Sequence, residues 1–139
     1  MKASEVYNTI VSVVEALMPT SQESLSDAYH HGDPEQDATP QDRTFFLRPL
    51  NLPRKAGRLL QGADPYVLAL ELRMMYNRDL SAHTRMLDDA EQVMATIYGL
   101  KSSNAQIVLT EVQYGGVQYN DETMEVVIHL SVEYDPRDP

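Results

Sequence analysis

The stretch Pro65–Asn77, with the sequence PYVLALELRMMYN, decides the fold of this chain. Every second position from Tyr66 to Tyr76 is apolar or aromatic. Because successive side chains of a β-strand point to opposite sides of the sheet, these residues share one face. The opposite face is mixed, since it carries Glu71 and Arg73. Such a strand packs one face on a core and leaves the other to water or to a partner.

Three further segments are predicted to be strands. Thr123–Tyr134 repeats the strict alternation, and Arg43–Leu47 is a short strand built around two apolar positions. Gln106–Tyr114 is the third, with Val108, Val112 and Tyr114 assigned to one face. Gly115-Gly116 then suits a turn or a bulge, and the stretch that follows it either extends the hairpin or forms a loop.

Two helices are predicted from apolar residues that recur at three- and four-residue spacing, over Ser4–Met18 and Ser81–Tyr98. Pro19 ends the first helix, and Gly99 is expected to adopt a left-handed C-cap after the second. The acidic residues Asp88, Asp89 and Glu91 are assigned to the solvated face of the second helix.

These elements predict an α+β fold in the order αββαββ. Its four-stranded, mainly antiparallel sheet would carry both helices on one face. The length of 139 residues indicates one domain, 1–139. Residues 20–42 are expected to form a long, mobile, acidic loop, and residues 135–139 a frayed tail. The predicted strands are longer than the ~5–6 residues typical of small domains, which suggests that a neighbouring subunit covers part of the sheet.

Composition excludes several classes of protein. The absence of cysteine rules out disulfide scaffolds, cysteine-ligated metal centres and thiol nucleophiles. A net charge of −10 argues against non-specific binding to duplex nucleic acid, because phosphate contacts need a basic face. No apolar stretch approaches the ~20 residues that span a membrane, and the amino end does not have the pattern of a signal peptide. We therefore expect a soluble protein that is intracellular when it is made.

The charge is strongly segregated along the chain. Residues 20–42 contain six acidic residues and no Lys or Arg, whereas residues 43–60 contain five basic residues and no acid. Such a boundary indicates contact surfaces for another copy or another protein. We predict an interface formed by the acidic residues of the loop, the bases that follow it and polar residues of the open sheet face: Asp33, Glu35, Asp37, Arg43, Arg48, Arg54, Lys55, Arg58, Glu71, Arg73 and His129.

His30-His31 and His129 are the candidate histidines for a chemical site. His30-His31, with acidic residues close behind, could ligate a metal, but adjacent histidines in extended chain point in opposite directions, which favours a solvated loop. His129 could act as a general base only with a carboxylate in reach, and Glu71 and Glu111 are its candidate cross-strand neighbours. We predict a surface or interface histidine. No catalytic or phosphate-binding motif occurs in the sequence, so we expect no enzyme, metal or cofactor.

The basic segment Pro53–Arg58 has a second interpretation. It could contact nucleic acid, with Tyr114 and Tyr119 available to stack on bases. Three positive charges on a strongly acidic chain are weak evidence for nucleic-acid binding, so a protein interface is favoured.

The order and lengths of the elements resemble those of tail-terminator proteins from the neck of long-tailed bacteriophages. The features that carry the resemblance are the amino-terminal helix, the long variable loop, the strand Tyr66–Tyr76, the second helix and the hairpin Ile107–Tyr134, which ends in VVIHLSVEYD. No diagnostic motif accompanies them.

The resemblance implies a homo-oligomeric ring, commonly a hexamer, that caps the tail tube and joins it to the head-side connector. It also implies assembly in the host cytoplasm, a final place in the virion neck, and DNA that passes through the ring without specific binding. A head-completion or connector subunit of the same region is the nearest alternative. A small nucleic-acid-binding module that uses Arg54–Arg58 follows, and a small-molecule enzyme centred on His129 comes third.

Overall fold

Tyr66–Asn77 is the central strand of a mixed sheet in a computed structural model that describes residues 1–19, 29–32, 42–55, 65–100 and 107–136. The elements in chain order are α1 (Ala3–Ala16), β1 (His30–His31), β2 (Thr44–Pro49), β3 (Arg54–Lys55), β4 (Tyr66–Asn77), α2 (Ala82–Tyr98), β5 (Ile107–Tyr119) and β6 (Thr123–Tyr134). The predicted α+β class is confirmed.

The sheet is mainly antiparallel, as predicted, but it has more strands than predicted and one short parallel pair. Its six described strands lie in the order β1-β2-β4-β6-β5, with β3 also paired to β4. β1 runs parallel to β2, and all other pairs are antiparallel. The predicted order αββαββ and the four-stranded sheet therefore match only in part: the four longer strands and the two helices follow that order, and β1 and β3 are additional. β1 and β3 have two residues each, which is too short for alternation to be visible in the sequence.

His30 and His31 belong to the sheet and not to a solvated loop. The backbone N–H of His30 donates to Arg43 O at 3.0 Å, and that of Gly32 donates to Phe45 O at 3.1 Å. The imidazole of His31 stacks on the Phe45 ring, with centroids 5.1 Å apart. The rest of the predicted loop, residues 20–28 and 33–41, lies outside the described residues, as do residues 137–139 of the predicted tail.

The hydrophobic core lies on one face of the sheet, where the alternating residues of β4 and β6 meet apolar residues from both helices. This confirms the alternation that the sequence predicted for the two longest regular strands. The fully buried members from the central strands and the helices include Leu70, Leu72, Ile128, Val132, Val6, Ile10, Val14 and Val93.

β4 and β6 pair without interruption over their full length, from Tyr66↔Tyr134 to Asn77↔Thr123. Since neither strand has a bulge in this ladder, the residues that alternate with the core positions all lie on the opposite face. We call that side the open face. It carries Glu71, Arg73 and His129, as the sequence predicted.

β5 continues through the diglycine as one strand with two bulges. Its register against β6 shifts between Leu109 and Glu111 and again between Tyr114 and Gly116. A bulge reverses which face the following residues occupy, so Val108 lies on the open face while Val112 lies on the core face. The assignment of Val108 to the same face as Val112 was wrong for this reason. The bulge at Gly115-Gly116 is confirmed, and the residues after it extend the hairpin to Tyr119.

Gly116 is the glycine at which the bulge needs a special backbone conformation, since its φ is +91°. We expect Gly116→Ala to lower the free energy of unfolding by about 1–2 kcal/mol, because an L side chain is strained at this φ. Gly99→Ala is the matched control. Gly99 has φ −75° and not the predicted left-handed conformation, so its replacement is expected to be neutral or slightly stabilising.

Urea denaturation of the wild type and the two variants would measure both effects. Equal losses in Gly116→Ala and Gly99→Ala would contradict a specific role for the bulge conformation.

Candidate interaction surface

One row of polar side chains crosses the open face. Arg48 pairs with Glu71 between β2 and β4, Glu71 pairs with His129 between β4 and β6, and Gln113 of β5 lies opposite His129. The cross-strand register alone therefore places four side chains from four strands side by side. The proposed neighbour relation between Glu71 and His129 is confirmed, whereas Glu111 lies opposite Ser131.

Glu71 is the centre of a charge cluster on this face. Its Oε1 accepts hydrogen bonds from Arg48 Nε at 2.9 Å and from Arg73 Nε at 2.5 Å. Its Oε2 lies 3.2 Å from His129 Nε2. Arg73 also donates through Nη1 to Glu125 Oε2 at 3.0 Å. We call these five residues, Arg48, Glu71, Arg73, Glu125 and His129, the open-face cluster.

The carboxylate of Glu71 is buried and stays ionised. It is only 4% exposed, and burial opposes its ionisation. The hydrogen bonds from Arg73, Arg48 and His129 outweigh that burial and lower the pKa of Glu71 to about 2. The carboxylate therefore remains charged throughout the physiological range and holds the guanidinium groups of two strands in place. The cluster rigidifies the open face as a surface.

His129 has the carboxylate partner that a general base would need, and its side chain is 41% exposed. The adjoining cleft, which Glu111, Gln113 and Ser131 also line, has a volume of about 210 Å³. That is below the ~300–1,000 Å³ typical of sites that enclose a small molecule. Glu71 is already neutralised by two guanidinium groups. The arrangement fits a polar contact surface better than a catalytic site.

Arg43 is in the interior and does not belong to a contact surface. Its side chain is 1% exposed, and its Nε donates to Asp89 Oδ2 at 2.7 Å. The hydroxyl of Tyr76 donates to the same oxygen at 2.8 Å. Burial and then the adjacent Asp89 carboxylate raise the pKa of Tyr76, so its phenol stays protonated and keeps this bond. The prediction for Arg43 was wrong because a buried carboxylate on α2 draws it inward.

Asp89 is the residue that sequence reasoning missed. It was assigned to the solvated face of α2, and that assignment holds for Asp88 and Glu91 but not for Asp89, which is 0% exposed. The spacing contained the signal. Asp89 follows the core residue Met86 by three positions and precedes Val93 by four, so it lies within the buried stripe of the helix. A carboxylate there requires a buried basic partner.

The outer edge of β5 is the most extensive unpaired backbone among the described strands. β5 has thirteen residues and is the last strand of the sheet on its side. Tyr114 and Tyr119 are 65% and 54% exposed along it. The two bulges divide this edge into three straight segments, of which Glu111–Tyr114 is the central one.

The edge of the sheet farthest from β5 carries exposed basic residues and an apolar groove. Arg54 and Lys55 of β3 are exposed, as the interface prediction requires. Beside them, Tyr7, Leu50, Leu52 and Leu68 line a groove of about 610 Å³, and Leu52 is 87% exposed. The predicted contact residues Arg58, Asp33, Glu35 and Asp37 lie outside the described residues.

Within the described residues, no three or more His, Asp and Glu side chains are grouped so that they could hold a metal ion. Among the helices of that same part of the chain, neither combines the length and the apolar character needed to cross a membrane. Neither a scan against protein-family models nor a search of curated proteins found a match to this chain.

Proposed function

We propose that this protein is a structural assembly subunit that forms a homo-oligomeric ring, in the role of a phage tail terminator. The observation that supports this most directly is the thirteen-residue outer edge of β5, with exposed tyrosines along it. Monomeric proteins usually shorten, charge or cover such edges, because an open edge templates pairing with another chain. In an oligomer, the neighbouring subunit can pair with such an edge, and the backbone hydrogen bonds then contribute to the subunit contact.

The open-face cluster supports an assembly function in a second way. Its ion pairs join β2, β4 and β6 across the face that the helices leave uncovered. A rigid surface loses little conformational entropy when a partner docks, which favours binding by shape and charge. In the proposed ring of six subunits, the tail-tube protein and the head-side connector are the partners. DNA passes through an acidic lumen that does not grip it.

Light scattering coupled to size-exclusion chromatography tests the ring. We expect a species several times the 15.7 kDa mass of one chain, either alone at high concentration or after addition of a phage tail-tube protein. A strict monomer in both conditions would contradict the proposal. Neighbouring genes for a tail tube and a tape measure would support the tail-terminator role over the alternative of a head-completion or connector subunit.

A nucleic-acid-binding function is less well supported by the geometry. Arg54 and Lys55 lie on β3, while Tyr114 and Tyr119 lie on β5, three strand spacings away at ~4.8 Å each. Bases stacked on the tyrosines would therefore not lie beside the basic segment. Salt-sensitive retention of labelled DNA that disappears in the Arg54→Ala/Lys55→Ala/Arg58→Ala variant would favour this alternative.

A further inference from the structure

We propose that the acidic edge of one copy docks onto the basic edge of the next, which makes the subunit contact head-to-tail. The acidic edge is the β5–β6 hairpin, Ile107–Pro136, and the basic edge is the β2–β3 segment, Thr44–Lys55. The inference rests on the proposed ring and identifies the two surfaces that would form it. Its occupant is a second copy of this chain.

The first step is the charge of the hairpin. Ile107–Pro136 contains six acidic residues and no Lys or Arg. Glu111, Asp121 and Glu122 are exposed, so the outer edge and the turn of the hairpin present negative charge to solvent. Since every charged residue of the hairpin is acidic, two hairpins brought together repel each other.

The second step is the charge of the other side of the sheet. Thr44–Lys55 contains three basic residues and no acid. Arg48 is part of the open-face cluster through Glu71, whereas Arg54 and Lys55 are exposed on β3. β4 and β6 lie between β3 and β5 in the sheet. The acidic and the basic segments therefore lie at opposite edges of the same sheet.

The third step is the apolar surface that accompanies each charged edge. Leu52 stands exposed next to Arg54, and Tyr114 and Tyr119 stand exposed along β5. Aromatic and aliphatic residues surrounded by complementary charge are the composition of a protein interface, in which burial provides affinity and charge provides orientation.

Opposite edges of complementary charge define a heterologous contact. An isologous contact between two hairpins would place acid against acid, and one between two β2–β3 segments would place base against base. A heterologous contact leaves each copy with one edge still open, so association continues beyond a dimer, to the proposed ring where the rotation between copies closes and to a filament where it does not. The charge segregation of the sheet thus favours continued head-to-tail association over a simple dimer.

Paired charge reversals test this contact. The acidic-edge variant is Glu111→Lys/Glu122→Lys, and the basic-edge variant is Arg54→Glu/Lys55→Glu. We expect each variant alone to self-associate about tenfold or more weakly than the wild type, because attraction becomes like-charge repulsion. Mixed in equal amounts, the two variants restore assembly, since each copy then offers the complement of its neighbour. Light scattering gives the masses, and thermal unfolding followed by circular dichroism confirms that both variants fold.

The matched control is Asp88→Lys/Glu91→Lys, which changes the net charge as much as the acidic-edge variant does but lies on the exposed face of α2. It should assemble like the wild type. A wild-type oligomer that persists in both edge variants, or loss of assembly that mixing does not restore, would overturn the head-to-tail contact and leave the proposed function standing. A wild type that remains monomeric both alone and with a tail-tube protein would overturn both.

Discussion

Replacing Asp89 with Ala is expected to lower the free energy of unfolding by about 3–5 kcal/mol, because a buried cation loses its counter-ion. The guanidinium of Arg43 is 1% exposed and donates to Asp89 at 2.7 Å. The same substitution removes the acceptor of the Tyr76 hydroxyl and leaves a cavity next to α2. Urea denaturation at neutral pH measures the loss. It is a large share of the ~5–15 kcal/mol that stabilises a typical domain.

Three variants separate this effect from a general loss of helix packing. Asp88→Ala alters the neighbouring exposed carboxylate and should change stability by less than about 0.5 kcal/mol. Asp89→Asn keeps the shape and one acceptor oxygen, so a folded variant with a smaller loss is expected. Arg43→Met/Asp89→Leu removes both charges and should recover much of the stability. An Asp89→Ala protein as stable as Asp88→Ala would contradict the buried ion pair.

The Arg43–Asp89 pair also has a structural consequence. Arg43 immediately precedes β2 and adopts a φ of +62°, while Asp89 lies in the middle of α2 and Tyr76 near the end of β4. The ion pair and the tyrosine hydroxyl therefore fix the second helix to the start of one strand and to the end of the central strand. Because one carboxylate oxygen of Asp89 accepts from both Arg43 and Tyr76, displacing α2 would leave buried polar groups without partners, and the pair therefore favours this position of α2 on the sheet.

The regular alternation in β4 and β6 made the core face and the open face predictable from the sequence. Glu71 and His129 could be assigned to the open face for that reason. Their contact could not, because a period of two determines the face of a residue but leaves the register between strands unspecified. The register that pairs Glu71 with His129 is determined by the tertiary structure.

Where local patterns were interrupted, prediction failed for identifiable reasons. The bulge between Leu109 and Glu111 in β5 reversed the face of Val108 relative to Val112. The two-residue strands β1 and β3 depend on backbone bonds to neighbours, which side-chain patterning does not encode. Asp89 was misassigned because the charge of an acidic run was read without its helical position. For the strands, long-range pairing overrides the local pattern, whereas the burial of Asp89 agrees with the local helical spacing.

The second large effect is expected at Glu71, where Glu71→Gln should lower the free energy of unfolding at pH 7 by about 2–3 kcal/mol. The folded pKa of about 2 lies below the ordinary value of 4.5, so the folded state binds the proton more weakly than the unfolded state. The carboxylate therefore stabilises the fold fully above pH 4.5, and this stabilisation is lost as the pH falls from 4.5 towards 2. Arg48 and Arg73 remain partly hydrated, which keeps the loss below that of a fully buried pair.

Urea denaturation of Glu71→Gln and the wild type from pH 7 to pH 2 tests both the size and the pH dependence. The difference in stability should be constant from pH 7 to about pH 5 and should shrink steadily below it, because the wild type then loses the same charge by protonation. Glu111→Gln, on the same face but exposed, should change stability by less than about 0.5 kcal/mol at pH 7. A difference that stays constant down to pH 2 would show that Glu71 acts through its shape and not through its charge. A difference that grows in acid would reverse the sign of the proposed linkage and remove the physical basis of the open-face cluster.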